Sequence, residues 1–105
     1  MAMMTQVTQW RVEPTKYLTF IEAANASKAI YESHGATVYV TNQVSGPDAG
    51  AVAVMLVFES SAAYGAALDS IQADPKWTEW VGKYMTSGIA TVVSVSTFRA
   101  VPWIS

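Results

Sequence analysis

Apolar and polar positions along the chain fall into six segments of differing period. The longest apolar run is residues 51–59, Ala-Val-Ala-Val-Met-Leu-Val-Phe-Glu, with eight apolar residues in a row. Such a run suits a strand buried on both faces and flanked on both edges. Gly46, Pro47 and Gly50 before it and Glu59-Ser60-Ser61 after it mark its ends. Residues 5–13 predict an earlier strand, enriched in Thr, Val and Trp. Gln6, Thr8, Trp10 and Val12 fall on one of its faces, and Thr5, Val7, Gln9, Arg11 and Glu13 on the other. Neither face is purely apolar, so in a central strand some of these polar groups must meet a cavity, water or a partner.

Pro14 ends that strand, and Thr15 reads as the N-cap of a helix over residues 16–34. Tyr17, Phe20, Ile21, Ala24 and Tyr31 make its apolar stripe, with Lys28 snorkelling at the border. His34 in the last turn and Gly35 after it form a helix stop. Residues 36–44 predict a second strand, with Val38, Val40 and Val44 on one face and Tyr39 and Thr41 on the other. A turn at residues 45–48 joins it to the long apolar run as a hairpin. Ser60 or Ser61 then caps a second helix carrying Ala63, Tyr64, Ala67, Leu68 and Ile71. Asp74-Pro75 interrupts this helix and restarts it, because proline cannot donate to the ladder but suits a first helical position. Residues 76–86 carry Trp77, Trp80, Val81 and Tyr84, with Glu79 and Lys83 four apart. Gly88 closes the segment. Residues 89–100 alternate, Ile89, Thr91, Val93, Val95 and Thr97 against Ala90, Val92, Ser94, Ser96 and Phe98, and predict a last strand.

The order β-α-β-β-α-β, with right-handed crossovers, gives an α+β, ferredoxin-like domain spanning residues 1–105. Its antiparallel sheet is ordered 4-1-3-2, and both helices lie on one face. The other sheet face is left bare, to be covered by a second sheet. Composition points the same way. Only 13% of residues are charged, about half the usual share, while 51% are hydrophobic. A domain of 105 residues buries only about two-thirds of its unfolded surface, so low charge implies that a second subunit covers part of it. The apolar tail at residues 101–105, with its Trp-Ile pair, is expected to dock on that subunit.

The net charge is −2 and the six basic residues are scattered, which leaves nucleic-acid binding without a basic patch. No cysteine and a single histidine leave no thiolate or multi-histidine metal site, and no cofactor is expected. The start of the chain lacks the pattern of a signal peptide, and no run approaches the ~18 apolar residues of a membrane span. The expected location is cytoplasmic, with no membrane partner.

Over its whole length the chain resembles the dimeric α/β-barrel superfamily, which includes NIPSNAP-like proteins and antibiotic-biosynthesis-monooxygenase-like domains. The resemblance rests on the strand-to-helix junction at residues 12–20, on Glu32-Ser33-His34-Gly35, on Phe58-Glu59-Ser60, and on Ala73-Asp74-Pro75-Lys76-Trp77. It implies a homodimeric barrel of two facing sheets and a pocket in each subunit between helices and sheet. The superfamily holds haem degraders, cofactor-independent oxygenases of aromatic polyketides and small-molecule isomerases. The haem degraders need an Asn on the first strand, a Trp ending the third and a His on the second helix. This chain has Thr8, Phe58 and no such histidine, so the resemblance does not extend to haem degradation.

The candidate site residues each carry two readings. Trp10, Thr8, Tyr64, Trp77, Trp80 and Tyr84 could line a pocket for a flat apolar ligand, or the aromatics could simply be core. Thr8, Tyr31, His34 and Tyr64 are the possible proton handlers, with His34 otherwise explained as a helix cap. Arg11 and Gln9 fall on the dimer face, but if the strand is turned over, Arg11 enters the pocket and could hold a carboxylate. Asp69, Asp74 and Glu79 show no paired-carboxylate spacing, and Asp74 reads as a cap. The expected function is binding of a small apolar or aromatic molecule by a homodimer. Alternatives are a cofactor-independent monooxygenase or isomerase, and a non-catalytic stress-response or interaction module.

Overall fold

The computed structural model describes residues 2–101. Its elements are β1 (Met4–Val12), a 3-10 turn (Pro14–Lys16), α1 (Tyr17–Ser33), β2 (Thr37–Asn42), β3 (Val52–Phe58), α2 (Ser61–Gln72), α3 (Pro75–Trp80) continued by a π-helical turn (Val81–Met85), and β4 (Ala90–Arg99). The four strands form one antiparallel sheet in the order β2-β3-β1-β4, with the helices on one face. This is the ferredoxin-like α+β arrangement that the element order predicts. None of the described helices is long and apolar enough to cross a membrane. The expected docking of the tail falls mainly on residues 102–105, outside the described residues.

Period-two burial along β3 sets the layers. Val52, Val54, Leu56 and Phe58 are buried beneath the helices, while Ala53, Met55 and Val57 are half-buried on the open face. Through the strand register, Met4, Gln6, Thr8 and Trp10 of β1 share the helix face, and Thr5, Val7, Gln9 and Arg11 share the open one. Trp10 therefore points toward the helices, where its ring centroid lies 5.9 Å from that of Phe20. Arg11 is exposed on the opposite side. The choice between Trp10 and Arg11 as the inward residue is thereby decided for Trp10.

Several local expectations are corrected. Thr15 is not the helix cap. Glu13 caps the 3-10 turn by accepting from the Thr15 N–H at 3.1 Å and from its hydroxyl, and Pro14 occupies the first turn position. The buried stripe of α1 is Phe20, Ala23, Ala24, Ser27 and Ile30, so Tyr17 is exposed and Ile21 and Tyr31 stand at the margin. Lys28 is outside the stripe, its Nζ 3.9 Å from Glu32. Val44 does not continue β2: the hairpin closes earlier, through the Gln43 N–H to Ala51 and the Gly50 N–H to Gln43, and Val44 is left 91% exposed. The alternation of β4 is broken by a bulge. Gln9 faces Ser94 and Trp10 faces Val92, so Val93 is the extra residue and the parity of β4 reverses across it.

The helix ends follow their local chemistry. Gly35 takes a left-handed φ of 92° after His34, and Ser60 accepts from the Ala63 N–H at 3.1 Å to start α2. Asp74 starts α3 by accepting from the Lys76 N–H at 2.9 Å, ahead of Pro75.

Candidate functional site

Between α1, the α3 segment and the sheet lies a cavity of about 40 Å3. It exists because α1 presents the small side chains of Ala23, Ala24 and Ser27 opposite Thr8, Val54 and Leu56, where larger residues would have closed the layer. Trp10, Phe20, Tyr31 and Trp80 wall it, and Met85 completes the lining. No charged side chain lines it. Ser27 satisfies its own hydroxyl by donating to Ala24 O at 2.8 Å. At about 40 Å3 the space holds roughly two or three waters, and a ring-sized guest requires a flexible wall residue to move aside.

The wall is positioned by the helix that follows Pro75. The Trp80 indole N–H donates to Ala23 O at 2.9 Å, tying α3 to α1. Trp77 stacks on Trp80 at 5.0 Å between centroids and lies 5.4 Å from Tyr31. The π turn at Val81–Met85 then brings residues five apart to one side, so Trp80 and Met85 both meet the cavity.

The candidate residues are thus divided. Thr8, Trp10, Tyr31 and Trp80 come together at the cavity. Tyr64, Trp77 and Tyr84 do not. Tyr64 packs edge-on against Phe58 at 5.2 Å, in a core cluster that shares Val54 and Leu56 with the cavity wall, but it does not itself line the cavity. Trp77 stands behind Trp80, and Tyr84 is buried on the far side, its hydroxyl donating to Glu22 at 3.2 Å. Trp77 and Tyr84 pack against Trp80 at 5.0 and 5.8 Å, but of the three only Trp80 reaches the cavity, and Tyr64 belongs to α2. Met85, Ala23, Ala24 and Ser27 were missed, since small and aliphatic side chains carry no chemical signature. The only available signal was the run of small residues on α1. Burial pushes the Tyr31 phenol up to about 12, so at neutral pH it is an uncharged hydrogen-bonding group and no base.

His34 is not at the cavity either. It joins the C-terminus of α1 to the α2–α3 junction: Nε2 lies 2.7 Å from Asp74 Oδ2, and Nδ1 lies 2.8 Å from Ser70 Oγ. An ionised carboxylate only accepts, so Nε2 carries the proton. With His34 neutral, Nδ1 accepts from the Ser70 hydroxyl; with His34 protonated, Nδ1 donates and the hydroxyl turns to Ala67 O at 3.2 Å. The order Ser-His-Asp is that of a catalytic triad, but the surrounding backbone N–H groups are already engaged. Those of His34, Gly35, Ala36, Ala73, Asp74, Trp77 and Thr78 all bond to backbone carbonyls, and that of Lys76 bonds to Asp74. No oxyanion site is left among them, and the trio is read as a latch between helices.

The His34 N–H, and after it the Lys76 N–H, hold the Asp74 carboxyl below its ordinary value of 3.8. A depressed folded value means that the latch contributes fully above pH 3.8 and is lost as the pH falls from there toward the folded value. Asp74→Asn is therefore expected to melt at lower temperature than the parent at pH 6. It should also lose less further stability between pH 4 and pH 3, as measured by thermal denaturation across that range.

No protein-family model matches the chain, and no curated protein matches it in sequence. Solved structures match its fold. An uncharacterized NIPSNAP domain protein from Burkholderia xenovorans superposes with a TM-score of 0.71, at 16% identity, over 94% of this chain and 93% of its own. A candidate antibiotic biosynthesis monooxygenase from Chloroflexus aurantiacus gives 0.66 at 17% identity, over 94% and 93%. A NIPSNAP family protein from Agrobacterium tumefaciens gives 0.66 at 13%, over 95% and 92%. The fold of this chain is that of the NIPSNAP-like and antibiotic-biosynthesis-monooxygenase-like domains.

Proposed function

We propose that this protein is a homodimer, closed through the open face of its sheet, that binds a small apolar or aromatic molecule between helices and sheet. The observation that carries this reading is the cavity itself, apolar and aromatic in lining with Thr8, Ser27 and Tyr31 as its polar points. A planar guest would lie among Trp10, Phe20 and Trp80, and the Tyr31 phenol and Thr8 hydroxyl supply orienting hydrogen bonds. The wall holds no carboxylate, amine or imidazole, which favours binding over acid–base catalysis. The fold likeness to a candidate antibiotic biosynthesis monooxygenase supports a second reading, oxygenation of a substrate that supplies its own reactivity.

Native mass spectrometry of gently purified protein tests the first reading, because it reports subunit count and retained ligand together. A dimer with a reproducible added mass of a small organic molecule is the expected result. Thr8→Leu fills the cavity from β1 while keeping a residue the strand tolerates, so the added mass should disappear without loss of the dimer. A bare parent protein in every preparation, together with no response to aromatic probes, would remove the binding reading. Oxygen uptake by the parent with its eluted ligand distinguishes the second reading from the first.

A further inference from the structure

Trp80 bounds two concavities. On its outer side, between α1 and α3, runs a groove of about 330 Å3 floored by Ala26, Ala29, Ile30 and Trp80. That volume lies within the roughly 300–1,000 Å3 of ordinary ligand sites, which the inner cavity does not reach. Lys76 and Lys83 stand on the groove's rim, with Glu79 between them in sequence. An adjoining groove shares Lys83 and Tyr84 and reaches Lys16. Three of the chain's six basic residues thus gather on this surface, against Glu22 and Glu79. The Glu22 carboxylate is occupied by the Tyr84 hydroxyl.

Among the described residues, the ion pairs are Lys28 with Glu32 and His34 with Asp74, so Lys76 and Lys83 are not engaged by a carboxylate. Lys83 Nζ lies instead 5.2 Å from the Tyr84 ring centroid, where it remains available to an anion at the groove.

Resting on the reading of the cavity as a binding site, we infer that cavity and groove are the two halves of one site divided by Trp80, and that its ligand is an amphipathic carboxylate. The apolar ring or chain points inward past Trp80, and the carboxylate meets Lys76 and Lys83 outside. Trp80 is held by one side-chain hydrogen bond, from its indole to Ala23 O, and by the rings of Trp77 and Tyr84 packed against it at 5.0 and 5.8 Å, so entry past it requires that ring stack to shift. The π turn begins at the next residue and ends on Met85, the flexible side chain of the inner wall, so the two residues that must yield sit at either end of the least regular helical turn. An uncharged apolar ligand would leave the lysines unused. A ligand charged along its whole length would be poorly accommodated by the alanine and isoleucine floor.

The test is calorimetric titration at low ionic strength with two matched probes, 2-naphthoate and 2-naphthalenemethanol. The carboxylate is expected to bind about tenfold more tightly than the alcohol, as one charge-assisted contact provides. In the double variant Lys76→Gln, Lys83→Gln that preference should vanish, with alcohol binding unchanged. Both side chains are exposed, and circular dichroism verifies the fold. Thr8→Leu should weaken both probes. Equal affinity for the two probes in the parent protein, or a preference that survives loss of both lysines, overturns the inference and leaves the cavity reading standing. Binding of neither probe overturns the inference, and, together with a bare parent protein in every preparation, overturns the cavity reading as well.

Discussion

Phe58→Ala is expected to lower the stability of the domain by about 3–5 kcal/mol, the largest effect of any single truncation in its core. Phe58 is 1% exposed and closes β3 at the point where the chain turns into α2. It faces Met4 across the strand pair and packs with Leu56, Ala36 and Ala67 in the same cluster. Tyr64, one turn into α2, rests edge-on against its ring at 5.2 Å. Truncation thus removes a ring from the core and the platform on which α2 sits, and neither strand can move in to fill the gap without breaking its ladder. Against a typical total of about 5–15 kcal/mol, such a loss leaves little reserve. Chemical denaturation should show an earlier midpoint with an unchanged slope, and the melting temperature should fall by on the order of 15–20 °C. Phe58→Leu, which keeps most of the volume, should cost less than half as much. Equal melting of the alanine variant and the parent would mean that α2 is not anchored through this residue.

The fold was legible because its determinants are local and periodic. The apolar run of β3, the capping Ser60 and Asp74-Pro75 pair, and the glycine after His34 each act within a few residues, and their order leaves few topologies. The site was legible only in part, for three physical reasons. Whether an aromatic on α3 faces inward depends on the rotation of the helix about its axis, and the π turn resets that rotation after Trp80. No residue in Val81–Met85 announces a π turn. The Ser70–His34–Asp74 latch joins positions 36 and 40 residues apart, and each member already had a sufficient local explanation as helix cap or helix surface. The bulge at Val93 occurs within a stretch where either parity presents only Val, Ser and Thr, so no burial pattern could reveal the slip.

For the dimer proposed above, Val7→Asp is expected to separate the two copies while leaving each subunit folded. Val7 lies at the middle of the open face, paired with Met55 on β3 and Ser96 on β4. Around it this face carries half-buried Met55 and Val57, with Tyr39 54% and Phe98 57% exposed. Four strands presenting such a surface to water would form an exposed apolar patch of a kind that usually marks an interface. Gln9 on the same face adds a polar reason, because its side-chain oxygen is buried with no hydrogen-bond partner in the single subunit. A second sheet packed at about 10 Å would cover the apolar side chains and bring donors within reach of that oxygen. A carboxylate at Val7 would then be buried unpaired in both subunits, at about 3–5 kcal/mol each, enough to raise the dissociation constant at least a thousandfold. In the isolated subunit the same carboxylate faces solvent, so circular dichroism should be unchanged. Val44→Asp, which charges a valine already 91% exposed in the hairpin loop, is the matched control and should leave the dimer intact. Analytical ultracentrifugation decides the matter. A monomeric parent, or a Val7→Asp variant that stays dimeric, would show that the open face is not where two copies meet.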